Sequence, residues 1–178
     1  MEYNLVTSLE SCLFDAAPTF LIFAKGAPQL LYYSHIPAAI ISLLVGFFVY
    51  FKNKTLASRL LLFLSIIFSF WVFISLIVWT NLDSRIIMVL WSFFGILYSL
   101  IYVLSLYFVY VFIDKRDISF IKKIILGAIL LPVVAFSFTR YGTESFNLTN
   151  CEAVENNLYT NYYYFLGLAV FVWILALV

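Results

Sequence analysis

One stretch, from Ile86 to Lys123, constrains the fold more than any other part of this sequence. It begins with 28 consecutive uncharged residues, IIMVLWSFFGILYSLIYVLSLYFVYVFI, and continues directly into DKRDISFIKK. Because the hydrocarbon core of a bilayer is about 30 Å thick, a helix needs about 20 apolar residues to cross it. The stretch therefore predicts a membrane-spanning helix that is followed by a basic, cytoplasmic turn.

The composition extends the membrane prediction to the whole chain. Charged residues make up 11% of the 178 residues and hydrophobic residues 65%, whereas soluble domains contain roughly 25% charged residues. A soluble domain of this length has too little interior to bury so much apolar surface. The net charge of +1 argues against a nucleic-acid partner, and two cysteines with one histidine form no zinc or redox motif.

Hydropathy divides the chain into an amino-terminal segment and a membrane bundle. Residues 1–33 contain acidic residues and helix breakers, and we expect them to form an extracytoplasmic segment at the membrane interface. Residues 34–178 predict an all-α helical bundle with five spans, at about 34–51, 60–79, 86–113, 118–138 and 162–178. The fifth span reaches Val178 without a charge or cap, so we expect it to be truncated and the protein to continue.

The basic residues predict the orientation of the bundle. With the amino terminus outside, seven of the ten Lys and Arg residues fall in the inner loops. Only Lys25, Arg85 and Arg140 then fall outside. Because such an excess in short loops sets the orientation, we expect a multi-pass protein with its amino terminus outside.

Small residues at four-residue spacing predict where helices approach each other closely. They are Ala38, Ser42 and Gly46 in the first span, and Ser65 and Ser69 in the second. Small side chains let helix backbones come together in lipid, so we expect a neighbouring helix to approach closely at these positions.

Both cysteines fall on the predicted outer side of the membrane. Cys12 lies in the amino-terminal segment and Cys151 in the loop before the fifth span. Because that compartment is oxidising, a Cys12–Cys151 disulfide is one interpretation, and it would tie the amino-terminal segment over the helix ends. Two free thiols are the alternative.

One face of the third span predicts the candidate ligand-facing residues. Its residues follow a 4-3-4-3 spacing: Trp91, Gly95, Tyr98, Tyr102 and Ser105. Tyrosine hydroxyls seek partners away from lipid, so this face either packs between helices or lines a ligand cavity with Trp91, Tyr98 and Tyr102. His35, near the outer side, is either a further ligand-facing residue or a solvated interfacial histidine.

The five predicted spans contain no Asp, Glu, Lys, Arg or His away from their ends. Pumps, proton-coupled carriers and intramembrane hydrolases usually need such groups at mid-membrane. We therefore expect no catalytic, cofactor-binding or metal-binding residue within these spans, and no cofactor.

The order of spans and aromatic residues resembles a known family. The sequence FFVYFKNKTLASRLLLFLSIIFSFWVFISLIVW, with Trp71 inside the second span, precedes LWSFFGILYSLIYVLSLYFVYVF, a basic turn and an apolar helix with Pro132. This pattern resembles the N-terminal seven-transmembrane region of bacterial sensor histidine kinases. The resemblance implies seven spans, of which this chain holds five, a place in the bacterial cytoplasmic membrane, and a homodimer.

The resemblance also implies a function in signal transduction by a two-component system. The chain would be a sensory input domain, which relays an extracytoplasmic or membrane cue, through an unidentified ligand, to a cytoplasmic output domain. The family's phosphoacceptor and ATP-binding domains follow the membrane region, so the kinase activity would belong to the full-length protein. A transporter or channel subunit is the alternative, and a membrane-embedded transferase is a third hypothesis.

Overall fold

The described part of the protein is a helical bundle with one short hairpin. The computed structural model describes residues 29–81, 83–147 and 152–177. The elements are α1 Gln29–Lys52, α2 Leu56–Thr80, α3 Ser84–Asp114, α4 Phe120–Ser137, β1 Thr143–Asn147, β2 Glu152–Glu155 and α5 Asn157–Leu177. All five helices are long and apolar enough to cross a membrane. This confirms the predicted helical bundle with five candidate spans, while the seven-span arrangement and the orientation stay predictions.

The helices extend beyond their apolar parts, so some predicted boundaries are displaced. α1 begins at Gln29, so a division of the chain between residues 33 and 34 would fall inside this helix. α5 begins at Asn157, five residues before the predicted 162. The carboxamide oxygen of Asn156 accepts a hydrogen bond from the Leu158 backbone N–H at 2.9 Å, which caps α5 in a polar stretch that hydropathy cannot recognise. Residues 1–28 lie outside the described residues.

The close approach predicted at the small residues joins α1 to α2. Gly46 is buried, and a Cβ atom placed on it would lie 2.7 Å from Oγ of Ser65. Oγ of Ser69 donates a hydrogen bond to the backbone carbonyl of Ala39 at 3.0 Å. The two helices therefore pack backbone to side chain with no room for larger residues at these points.

The third helix lies at the centre of the bundle. α3 contacts α2, α4, α5 and both strands, whereas α1 packs on α2. The core between α2 and α3 contains Ile74, Ile87 and Leu97, none of which is more than 5% exposed. α4 continues through Pro132, and Val133 packs in a second cluster against tyrosines of α5.

The connection between α4 and α5 differs from the predicted polar loop at 139–161. It contains the antiparallel β1–β2 hairpin, in which Phe146 pairs with Ala153 and Ser145 with Val154. Oγ1 of Thr143 lies 3.3 Å from Oγ of Ser92 in α3, so the hairpin is packed against the bundle. The strands are four and five residues long and mostly polar, which is why the sequence gives no strand signal.

The bundle has two chemically different ends. The hairpin end contains β1, β2, the α2–α3 turn and the amino-terminal ends of α1, α3 and α5. The basic end contains the α1–α2 and α3–α4 turns with their lysines and arginines. There, Nζ of Lys123 lies 2.5 Å from Oδ2 of Asp117, and the Tyr107 hydroxyl donates to Oδ1 of Asp117 at 2.6 Å.

Candidate functional site: an aromatic cavity at the hairpin end

A cavity of about 420 Å³ lies between α2, α3, α5 and β2 at the hairpin end. Its volume falls in the range of roughly 300–1,000 Å³ that is typical of small-molecule sites. The lining residues are Trp71, Ser75 and Trp79 of α2, Trp91, Phe94 and Tyr98 of α3, Ala153 and Glu155 of β2, and Asn157, Thr160, Tyr163 and Tyr164 of α5.

Each helix contributes one stripe of side chains to the cavity. On α2 the stripe is Trp71, Ser75 and Trp79, at intervals of four residues. Residues three and four apart lie on the same face of a helix, and α3 and α5 use the same spacing. Side chains on one face of each of the three helices thus form the cavity walls, and the hairpin contributes Glu155.

The carboxylate of Glu155 accepts hydrogen bonds from two helices. Nε1 of Trp91 in α3 donates to Oε1 at 3.0 Å. In α5, Oγ1 of Thr160 and the hydroxyl of Tyr163 donate to Oε2 at 2.7 and 2.5 Å. Among the described lining residues Glu155 alone is charged, and its three donors are neutral. One half-buried carboxylate therefore connects β2, α3 and α5.

Aromatic rings form most of the cavity wall, with Tyr98 at the centre. The centroid of its ring lies 5.5 Å from that of Trp71 and 5.8 Å from that of Tyr163, on which it stacks with an interplanar angle of 12°. Trp91 meets Phe94 edge to face at 5.3 Å. These ring contacts join α2, α3 and α5 at the inner part of the wall.

Two of the predicted ligand-facing residues line the cavity, and two lie beside it. Trp91 and Tyr98 line it, whereas Tyr102 stacks on Tyr98 at 6.4 Å and packs against α5. Nε2 of His35 lies 3.4 Å from Oγ of Ser75, which places the histidine behind the α2 wall. The ligand-facing role of all four residues stays a prediction.

Sequence reasoning missed the α5 and hairpin side of the site. Glu155, Thr160 and Tyr163 all line the cavity, although they were assigned to a polar loop and to the start of a span. A usable signal exists: a carboxylate lies directly before an apolar helix whose first turns carry hydroxyls at i+5 and i+8.

The predicted Cys12–Cys151 disulfide involves two residues outside the described part of the chain, so it stays a prediction. Within residues 29–81, 83–147 and 152–177, no three His, Cys, Asp or Glu side chains come together as metal ligands.

No family model, curated protein or solved structure matches this chain. The resemblance to the sensor region of histidine kinases therefore rests on the sequence pattern, and it stays a prediction. The geometry of the cavity is the observation from which a function can be argued.

Proposed function

We propose that this chain is a membrane-embedded sensory input domain that binds its ligand in the cavity at the hairpin end. The supporting observation is the position of Glu155, whose carboxylate accepts hydrogen bonds from α3 and α5 within the cavity wall. A ligand that engages this carboxylate alters the bonds between the two helices. It therefore favours one helix arrangement over another, which is the requirement for a ligand to shift a conformational equilibrium.

Two helices lead from the cavity to the basic end and can carry such a change. α3 has 31 residues, which corresponds to about 46 Å at 1.5 Å per residue. Near the other end of this pair, Nε1 of Trp173 in α5 donates to the hydroxyl of Tyr110 in α3 at 2.9 Å. In this proposal the output domain follows the bundle on the cytoplasmic side and works as a homodimer, as the family resemblance implies.

A transporter or channel subunit is the alternative. Transporters bind their substrates near the bilayer midplane, between helices that are interrupted there. The cavity extends from the hairpin to Trp71 and Tyr98, near the middle of α2 and α3, but the five described helices are continuous. The continuous helices favour a receptor, and an uptake assay with protein reconstituted in liposomes would detect the alternative.

A sensory role requires that a structural change in the cavity alters the helix positions at the basic end. The substitution A153F fills the cavity from β2, while A169F adds the same volume on an exposed face of α5. Spin labels are attached through N53C and K115C, in the two basic turns, with Cys12 and Cys151 replaced by serine. Pulsed electron paramagnetic resonance in nanodiscs then measures the distance between the labels.

We expect A153F to shift that distance by about 2 Å, the size of typical helix displacements in switching proteins, and A169F to leave it unchanged. An A153F protein that is folded, has lost the cavity and shows the parental distance would contradict the sensory role.

A further inference from the structure

We propose that the cavity binds an organic cation, whose alkylated ammonium group lies between the carboxylate of Glu155 and the aromatic walls. The inference rests on the proposed ligand-binding role of the cavity, and it specifies the chemistry of the ligand.

The charge of Glu155 favours a cationic ligand. Glu155 is half-buried, and its carboxylate is surrounded by an indole N–H and two hydroxyls, none of which carries a charge. Among the described residues, the ion pair of Lys123 with Asp117 lies at the opposite end of the bundle, and no cation pairs with Glu155. A carboxylate that is partly removed from water and lacks a counter-charge carries a desolvation cost, and a cationic ligand supplies the opposite charge.

The aromatic residues of the cavity wall also favour a cationic ligand. Three of the four tryptophans in the sequence, Trp71, Trp79 and Trp91, line this one cavity. The faces of aromatic rings attract cations, most strongly for tryptophan, and cages of such rings are the typical sites for quaternary ammonium groups. The walls therefore match an alkylated cation, which is both charged and apolar.

Other ligand classes fit the same residues less well. An anion would be repelled by Glu155, and a neutral apolar molecule would leave its charge uncompensated. A calcium ion takes six to eight oxygen ligands, whereas Glu155 is the one carboxylate among the described lining residues. The carboxylate has about four acceptor sites, of which three are occupied, so it cannot also coordinate a metal closely.

Two sources could deliver an alkylated ammonium group to this site. The rim contains Trp79 and Tyr164, which are 59% and 57% exposed. A free cation could enter past them from water, and the choline headgroup of a lipid could reach them from the bilayer. The chemistry at Glu155 is the same in both cases, so the experiment must separate the sources.

The experiment uses the fluorescence of the cavity tryptophans. In the W173F background the three remaining tryptophans all line the cavity. The full chain is placed in nanodiscs of phosphatidylglycerol, and choline or tetramethylammonium is titrated. The control ligand is the neutral analogue of choline in which a carbon atom replaces the nitrogen. We expect a saturable fluorescence change with both cations, and binding of the neutral analogue that is weaker by about tenfold or more.

Three variants locate the binding site. E155Q keeps the size of the side chain but removes the charge, and we expect it to weaken choline binding by about tenfold or more. E144Q removes a carboxylate from the exposed face of the same hairpin and should leave the affinity unchanged. W79L, at an exposed rim position, does not threaten folding and should weaken binding severalfold by calorimetry.

Each outcome bears on the proposal. The absence of a saturable change with either cation, equal affinity for the neutral analogue, or full affinity in E155Q and W79L overturns it. If phosphatidylcholine in the nanodisc competes with free choline, the source is the lipid headgroup; if it does not, the source is a free cation. The distance measured at the basic end in A153F requires no cation, so loss of the cation site and loss of the sensory role give different results.

Discussion

At the scale of single residues, Glu155 shows why a candidate site residue can be impossible to predict from the sequence. Its partner Trp91 is 64 positions away in the chain, so no local pattern links them. The 4-3-4-3 face of α3 was visible because it depends only on helix periodicity, and its members Trp91 and Tyr98 do line the cavity. The contact between Glu155 and Trp91 depends on the hairpin, which hydropathy did not predict.

We expect E155A to destabilise the bundle, because it leaves the Trp91 indole and the hydroxyls of Thr160 and Tyr163 without their common acceptor. Of these donors Tyr163 is buried, and hydrogen bonds to a charged group are worth about 1.5–3 kcal/mol each, so a loss of at least about 2 kcal/mol is expected. The matched substitution E144A removes an exposed carboxylate of the same hairpin that accepts one hydrogen bond, from the carboxamide of Asn156, and should cost less than about 1 kcal/mol. Reversible unfolding in mixed micelles measures both values, and equal losses would contradict the role of Glu155.

Asp117 makes the basic end sensitive to pH. Hydrogen bonds from Lys123 and then from Tyr107 lower the pKa of Asp117 below its usual value of 3.8. A lowered carboxylate pKa contributes stability that is present above pH 3.8 and is lost as the pH falls through the lowered value. We expect D117N to abolish this loss of unfolding free energy at low pH, and K123Q to make the loss smaller. If D117N loses as much stability at low pH as the parent protein, Asp117 is not the cause of that loss.

At the scale of secondary-structure elements, the predictions succeeded where one property decides the structure. The apolar runs located the five described helices, and the small-residue spacing marked faces at which helices approach closely, which in the structure are those of α1 and α2. The ends of α1 and α5 and the hairpin were missed because polar residues at a membrane surface can be helical, extended or irregular. For the hairpin and α5 the form that arises depends on packing against α3, and α1 packs on α2.

Two glycines provide a matched test of helix packing. A Cβ atom on Gly46 would lie 2.7 Å from Ser65, whereas one on Gly127 of α4 would meet nothing within 4 Å. We therefore expect G46L to separate α1 from α2 and to cost about 1–3 kcal/mol, the usual penalty of overpacking. G127L should be neutral within about 0.5 kcal/mol. Steric trapping or micelle unfolding of the two variants measures the difference, and equal stability would show that the close contact is not formed.

At the scale of the whole molecule, the orientation in the membrane is the next property to test. Seven of the ten Lys and Arg residues are assigned to the inner side, which predicts that the cavity faces outward. With Cys12 and Cys151 replaced by serine, we expect a membrane-impermeant maleimide to label R140C in intact cells. K115C should react only after the cells are opened. The reverse pattern would place the cavity on the cytoplasmic side.

In the proposed sensory role, the pairing of α3 with α5 limits how a signal can cross the membrane. Gly95 of α3 accommodates the ring of Tyr159 from α5, and Gly167 of α5 accommodates the ring of Tyr102 from α3. These two reciprocal contacts lie at different levels along the helix pair, so a piston movement of one helix along the other would displace both rings together. A rotation about the line that joins the two contacts leaves both rings in place. In this role, a change that starts at the cavity should therefore reach the far side as a rotation of one helix about the other.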